Sequence, residues 1–225
     1  MNGMAAALRA VLFDWDGTLI NSAESSFRCY VRLFASCGIP FDRTHFEQTY
    51  SPNWYHTYQK VGLPESRWAE ADARWLQYYA EESSELLPGA RETLIRLRER
   101  GPLLALVTSG DRQRVARELA GLDLEIFFEA VVCGEDARLK KPHPEALLLA
   151  LQRLEVAPEE AAYVGDSPED VEMARAAGVL SVAIPGGFPN QQALRASQPD
   201  LIADTLDQAL TRLLTLRSPL PHPEG

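Results

Sequence analysis

Val11-Leu12-Phe13-Asp14-Trp15-Asp16-Gly17-Thr18 is the stretch on which the fold turns. A short apolar run stops at a carboxylate, so Ala10–Phe13 is predicted as a buried strand with Asp14 at its carboxyl end. Open α/β sheets bind their ligands at that end of their parallel strands. Two carboxylates two positions apart, with a glycine that permits a sharp turn, suit a metal site or a nucleophile with its proton-transfer partner. Taken alone, the same residues also read as an acidic turn after an edge strand.

Further along the chain the pattern repeats. Leu103–Val107 and residues 129–133, 162–164 and 179–184 are short apolar runs predicted as strands. Residues 112–120 and 144–154 and Pro168–Ala177 lie between them with helical patterns, and Gly121 and Gly178 are placed as C-terminal stops. Residues 206–214 form a last helix. This alternation predicts βαβ units: an α/β protein with a Rossmann-like parallel sheet and helices on both faces.

Residues 21–86 break the alternation. They hold no convincing strand, Phe27, Tyr30, Val31 and Phe34 recur at helix spacing, and Gly38-Ile39-Pro40 ends that segment. Residues 67–82 are a second helical stretch. This region contains 13 of the 19 aromatic residues. The expected organisation is a core of residues 1–20 and 87–217, an all-helical insert over 21–86, and a loose Pro-rich tail over 218–225. Leu87-Pro88-Gly89 marks the return to the core.

Three more motifs sit at predicted strand ends. Thr108-Ser109-Gly110 combines hydroxyls with free N–H groups at a helix N-terminus, which suits a phosphate, although Ser109 or Asp111 also serves as an ordinary cap. Lys140-Lys141-Pro142-His143-Pro144 concentrates two of the chain's three lysines. Pro142 extends the backbone at Lys141 and Pro144 opens a helix, and His143 reads as structural. In Gly165-Asp166-Ser167-Pro168-Glu169-Asp170, capping accounts for Ser167, Pro168 and Asp170 but leaves Asp166 free for an oxygen-rich metal site. A parallel sheet would bring all four motifs to one edge, as metal-assisted phosphoryl transfer requires.

The net charge of −10 disfavours nucleic acid and anionic membrane surfaces as partners, so attraction for an anion must be local. Apolar runs fall short of a bilayer span. Cys29, Cys37 and Cys133 do not make a disulfide framework, which points to the cytoplasm.

The ordered set DWDGT, TSG, KKPHP and GDSPED resembles the four motifs of the haloacid dehalogenase superfamily, and the likeness runs from about Val11 to Ile184. The insert after the first motif is similar to the helical cap of phosphoglycolate-phosphatase-like and β-phosphoglucomutase-like members. The resemblance implies that Asp14 is the phosphoryl-accepting nucleophile and that Asp16 is the acid/base, with its pKa raised by the nearby carboxylate. It implies Mg²⁺ held by Asp14, the Asp16 carbonyl and Asp166, with Asp170 in or beside its shell. Thr108, Ser109, Gly110 and Lys141 would bind the phosphoryl group, with Gly110 a mild departure because relatives often carry a polar residue there. Asp16 separates phosphatases and mutases from dehalogenases. The implied substrate is a small phosphorylated metabolite, phosphoglycolate-like or a sugar phosphate, with a phosphosugar mutase and a non-catalytic phospho-ligand or protein binding module as the alternatives, and the protein a monomer or homodimer. Arg28, Arg32, Lys60, His45, His56, Trp54 and Tyr58 are the insert's candidates for touching that substrate, though surface Arg and buried aromatics are ordinary in amphipathic helices.

Overall fold

The computed structural model describes residues 7–216. Six strands, β1 (Ala10–Phe13), β2 (Leu103–Val107), β3 (Ala130–Val132), β4 (Ala161–Gly165), β5 (Leu180–Ala183) and β6 (Leu201–Ile202), form one sheet in the order β3-β2-β1-β4-β5-β6. Every pairing is parallel. The central β1 is buried along its whole length, which explains why its sequence is a continuous apolar run and not an alternating one.

Side chains alternate across the sheet. Val11, Phe13, Leu106 and Val164 face a cluster completed by α5 (Ala90–Arg98), α6 (Arg112–Gly121) and α10 (Leu206–Leu216). Leu12, Ala105, Val107 and Tyr163 face the opposite layer, formed by α7 (Glu145–Leu154) and α8 (Pro168–Ala177). Phe13 is in register with both Leu106 and Val164. Asp14, Thr108 and Asp166 therefore emerge side by side at one edge.

Between β1 and α5 the chain makes α1 (Ala23–Ser36), α2 (Arg43–Thr49), α3 (Trp54–Lys60) and α4 (Trp68–Tyr79). These helices have their own apolar cluster around Tyr30, Leu33, Phe34, Phe46 and Tyr58, which Phe188 joins from beyond β5. The segment leaves and returns at one place. Ile20 and Leu86 form an antiparallel bridge, flanked by Asn21 N–H to Glu85 O and Leu87 N–H to Leu19 O, both at 2.8 Å.

Some expectations need correction. Gly121 is the last residue of α6, and Leu122 is its cap. Gly178 does stop α8, at φ 74°. The helix expected from 144 begins at Glu145 with Pro144 as its cap, and the strands expected over 129–133 and 179–184 are shorter at both ends. The short edge strand β6, α5 and α9 (Gln191–Ala196) were not predicted. The tail over 218–225 lies outside the described residues. No helix among the described residues is long and apolar enough to cross a membrane, and Cys29, Cys37 and Cys133 are free.

Candidate active site

Asp14 follows β1 and is buried, and burial demands a partner for its charge. Lys141 supplies it. Its buried ammonium donates to Asp14 Oδ1 at 2.7 Å, Asp170 Oδ1 at 2.8 Å and the Tyr163 hydroxyl at 2.8 Å. Tyr163, which no motif singled out, donates in turn to Val107 O at 2.9 Å and so ties the lysine to the end of β2. A tyrosine inside an otherwise aliphatic strand was the available signal, because a buried phenol needs a partner. Burial disfavours the charged ammonium, but the Asp14 and Asp170 charges outweigh it and hold Lys141 protonated well above its ordinary range. Burial lifts the Asp14 carboxyl to about 7, with Lys141 pulling it down and Asp170 pushing it further up.

Asp166 sits one step beyond β4, and its Oδ2 is buried with no partner among the described residues. Burial, then Asp170, then Asp14, raise its pKa well above the carboxylate range. Carboxylate oxygens of Asp14, Asp166 and Asp170 lie within 4.8 Å of one another. Three carboxylates against the one Lys141 ammonium leave two negative charges, the charge of one divalent cation, and an all-oxygen donor set suits a hard ion. Space for it is protected on the chain's own side. A Cβ at Gly17, which stands at φ 77°, would come 2.2 Å from Asp166 Oδ2, and one at Gly186 would come 2.1 Å from it.

Asp170 is placed differently from the other two. Its Oδ1 accepts from Lys141, and its Oδ2 accepts from the N–H groups of Asp166 and Ser167 and from Ser167 Oγ at 2.7 Å. The expected capping box is present, and both oxygens are occupied by it and by the lysine.

Asp16 departs from expectation. Arg114, buried on α6, makes a bidentate pair with it at 3.0 and 2.5 Å. Burial works against the charge on Asp16, but the guanidinium prevails, and the pKa is lowered instead of raised. The neighbouring carboxylate on which the opposite expectation rested is outweighed by a contact 98 residues away in sequence. Arg114 also pairs with Glu118 at 3.2 Å, and Glu118 accepts from Trp15 Nε1 and Ser84 Oγ, both at 2.7 Å. Gly110 now has a reason to be glycine, because a Cβ there would lie 2.4 Å from Arg114 Nη2.

Asp111 caps α6 by accepting from the Arg114 N–H at 2.9 Å, and Thr108 Oγ accepts from the Gly110 N–H at 3.0 Å. Thr108, Ser109, Gly110, Asp14, Asp16, Lys141, Asp166 and Asp170, the whole predicted set, line a single cavity of about 310 Å³. His143 does not line it and accepts from the Glu145 N–H, as a structural residue would.

The helical segment closes the far side of this cavity. Of its predicted contacts only Trp54 and Tyr58 line it. Arg28 bonds to Glu82, and Arg32 to Glu81 at 2.9 Å, both facing solvent; His45, His56 and Lys60 are also absent from the lining. Asp72 was not anticipated. It lines the cavity and accepts from Trp54 Nε1 at 2.9 Å and from the Tyr55 and Tyr58 hydroxyls at 3.1 Å. Lys140 crosses from the core side to lie 5.2 Å from the Trp54 ring.

The sequence and fold have counterparts in known proteins. The model of the haloacid dehalogenase-like hydrolase family matches residues 11–184. Phosphoglycolate phosphatase of Escherichia coli (strain K12) is 32% identical over 245 residues, spanning 97% of this chain and 95% of that protein. A haloacid dehalogenase-like hydrolase of Streptococcus pneumoniae superposes with a TM-score of 0.80 at 26% identity, covering 92% of this chain and 98% of the other. A candidate β-phosphoglucomutase of Thermotoga maritima superposes at 0.72 and 27% identity, covering 92% and 99%. With its motifs gathered at one sheet edge and the family's pattern matched from the first strand to the fifth, the chain belongs to the haloacid dehalogenase-like hydrolases.

Proposed function

We propose that the chain is a metal-dependent phosphatase that hydrolyses a small phosphorylated metabolite through an aspartyl-phosphate on Asp14. The observation that carries this reading is the Lys141 ammonium shared by Asp14 and Asp170, beside the partnerless Asp166 oxygen. A carboxylate nucleophile needs a cation to offset its charge as it approaches an anionic phosphate, and Lys141 stands 2.7 Å from it.

Asp14 attacks phosphorus and the bond to the leaving oxygen breaks. Thr108 Oγ and the Ser109 N–H are the groups proposed to hold the phosphoryl oxygens, since the Thr108 and Gly110 N–H groups already donate to Val132 O and to Thr108 Oγ. Asp16 exchanges protons with the leaving oxygen and then with the water that releases phosphate. Arg114 favours the ionised form of Asp16, so the chain is better prepared for activating that water than for protonating the leaving group. Mg²⁺ is the ion proposed, held by Asp14, Asp166 and the Asp16 carbonyl, and it would supply charge neutralisation at the phosphoryl oxygens. Asp170 positions Lys141 and the 166–167 turn and stands in or beside the metal shell.

Residues 21–86 are proposed as a cap over a core of 1–20 and 87–217. Three free thiols fit a reducing cytoplasm. Phosphoglycolate, the substrate in the relatives' name, falls within the proposed class. The test is phosphate release from small esters with Mg²⁺ and with chelator, on wild type and on Asp14→Asn. Release that needs Mg²⁺ and is abolished in the folded variant is expected. Full turnover by that variant overturns the mechanism.

A further inference from the structure

The charges around the cavity are unevenly committed. Seven carboxylates and three cations line it, and so negative a balance admits a second anionic group on a ligand only where a cation stands to meet it. Two of the cations are engaged: Arg114 pairs with Asp16 and Glu118, and Lys141 with Asp14 and Asp170. Three other carboxylates of the lining are met by neutral donors. Asp72 accepts from Trp54 Nε1 and the Tyr55 and Tyr58 hydroxyls, Asp111 from the Arg114 N–H, and Glu135 from the Arg112 N–H. That leaves Lys140, with which no carboxylate pairs among the described residues.

Its placement suits a second point of recognition. Lys140 and Lys141 are neighbours in sequence and line the same cavity, yet one ammonium goes to Asp14 and the other to the helical side. The Lys140 Nζ lies 5.2 Å from the centroid of the Trp54 ring and donates to Gly134 O at 3.1 Å. An ammonium has three protons, and Gly134 takes one of them. Asp72 fixes the indole through its Nε1–H, and the indole bounds where the ammonium can stand. Lys140 and Trp54 are both half-buried, so the charge is partly desolvated, where a charge-assisted hydrogen bond gains strength, without being sealed off. The hydroxyls of Ser26, Tyr30, Tyr50 and Ser51 also line the cavity and can serve a sugar or a short chain alike, but they carry no charge with which to select an anion. A carboxylate's single charge matches this single ammonium, whereas a second phosphate would bring roughly two.

We propose that Lys140 is a specificity residue that binds a carboxylate on the leaving group of the phosphate ester, so that the substrate is a short phosphorylated acid with Lys141 at its phosphoryl end and Lys140 at its acid end. This rests on the phosphatase reading and narrows its substrate class. The test measures kcat/KM with Mg²⁺ for 2-phosphoglycolate and for ethyl phosphate, which has a methyl group where the other has its carboxylate, with acetyl phosphate as a reactive control. Wild type is expected to favour 2-phosphoglycolate over ethyl phosphate by roughly tenfold or more, about what one charged hydrogen bond supplies. In Lys140→Met, which keeps the stem and removes the charge, that preference should fall by roughly tenfold, and Lys140→Arg should restore most of it. A lysine that only steadied Trp54 or the 134–140 loop would lower both esters together and leave their ratio alone. A wild-type ratio near one, or a ratio that survives in folded Lys140→Met, overturns the inference while the phosphatase stands. If well-folded wild type releases phosphate from none of the three, acetyl phosphate included, the phosphatase reading falls first and takes the inference with it.

Discussion

Stripped of metal, the protein should lose stability as pH rises, and Asp14 gives the size of the loss. Its carboxyl titrates at 3.8 in a free chain and at about 7 in the folded protein. A group raised in the folded state binds its proton more tightly there. Its contribution is therefore fully present below pH 3.8 and is lost as pH climbs through about 7. At about 1.4 kcal/mol per pH unit the span amounts to roughly 4 kcal/mol, of which about 3 fall between about pH 4.5 and about pH 8. For a chain of this size each kcal/mol moves the melting temperature by about 2–4 °C, so a drop of roughly 6–12 °C is expected. The assay is a thermal melt in chelator at both pH values, on wild type and on Asp14→Asn, whose amide does not titrate. The variant should be flatter with pH by about the same amount, and adding Mg²⁺ at the higher pH should recover wild type and not the variant. A wild-type melt that holds or rises with pH in chelator, or a variant that falls just as steeply, refutes the reasoning.

Arg114→Met should destabilise the fold by about 3 kcal/mol, because it leaves Asp16 and Glu118 without their shared cation, and chemical denaturation measures this. Gly110→Ser should push the guanidinium off Asp16 and lower stability on its own. Added to Arg114→Met it should cost less than it does alone, since the guanidinium has gone and only Val115 Cγ2, at 3.1 Å, still crowds the new side chain; full additivity would separate the two residues. Cys29 and Cys133 are buried, and burial lifts their thiols to about 12 and about 11. In native protein only the more accessible Cys37 should react promptly with a thiol reagent near neutral pH, and three prompt equivalents would contradict this.

The fold was legible in the sequence where burial is two-sided. β1 and β2 are continuous apolar runs bounded by a carboxylate and a hydroxyl, so their limits could be read residue by residue. β6 was not legible because two half-buried residues on a sheet edge carry no pattern. α8 announced itself through Ser167-Pro168 and Gly178, and α9, six residues without a side-chain cap, did not. For the site, residues attached to strand ends were found because register alone gathers them. Arg114, Asp72 and Tyr163 were missed because each acts through a partner between 14 and 98 residues away. Gly110 was the clue to Arg114. A glycine just before a helix asks what fills the space, and only the packing of α6 against the first turn answers it.

The bridge between Ile20 and Leu86 has a consequence for how such a chain can change. Because the helical segment departs and rejoins at adjacent positions, the sheet registers only that two neighbouring ends are held together. The intervening length hardly enters, since loop closure grows slowly with it. Residues 22–85 could therefore lengthen, shorten or be exchanged for a foreign segment while β1, its neighbours and Asp14 keep their places. Under the proposed function, reactivity falls to one stretch of the chain and selectivity to another, with a few backbone hydrogen bonds as the seam along which they can be recombined.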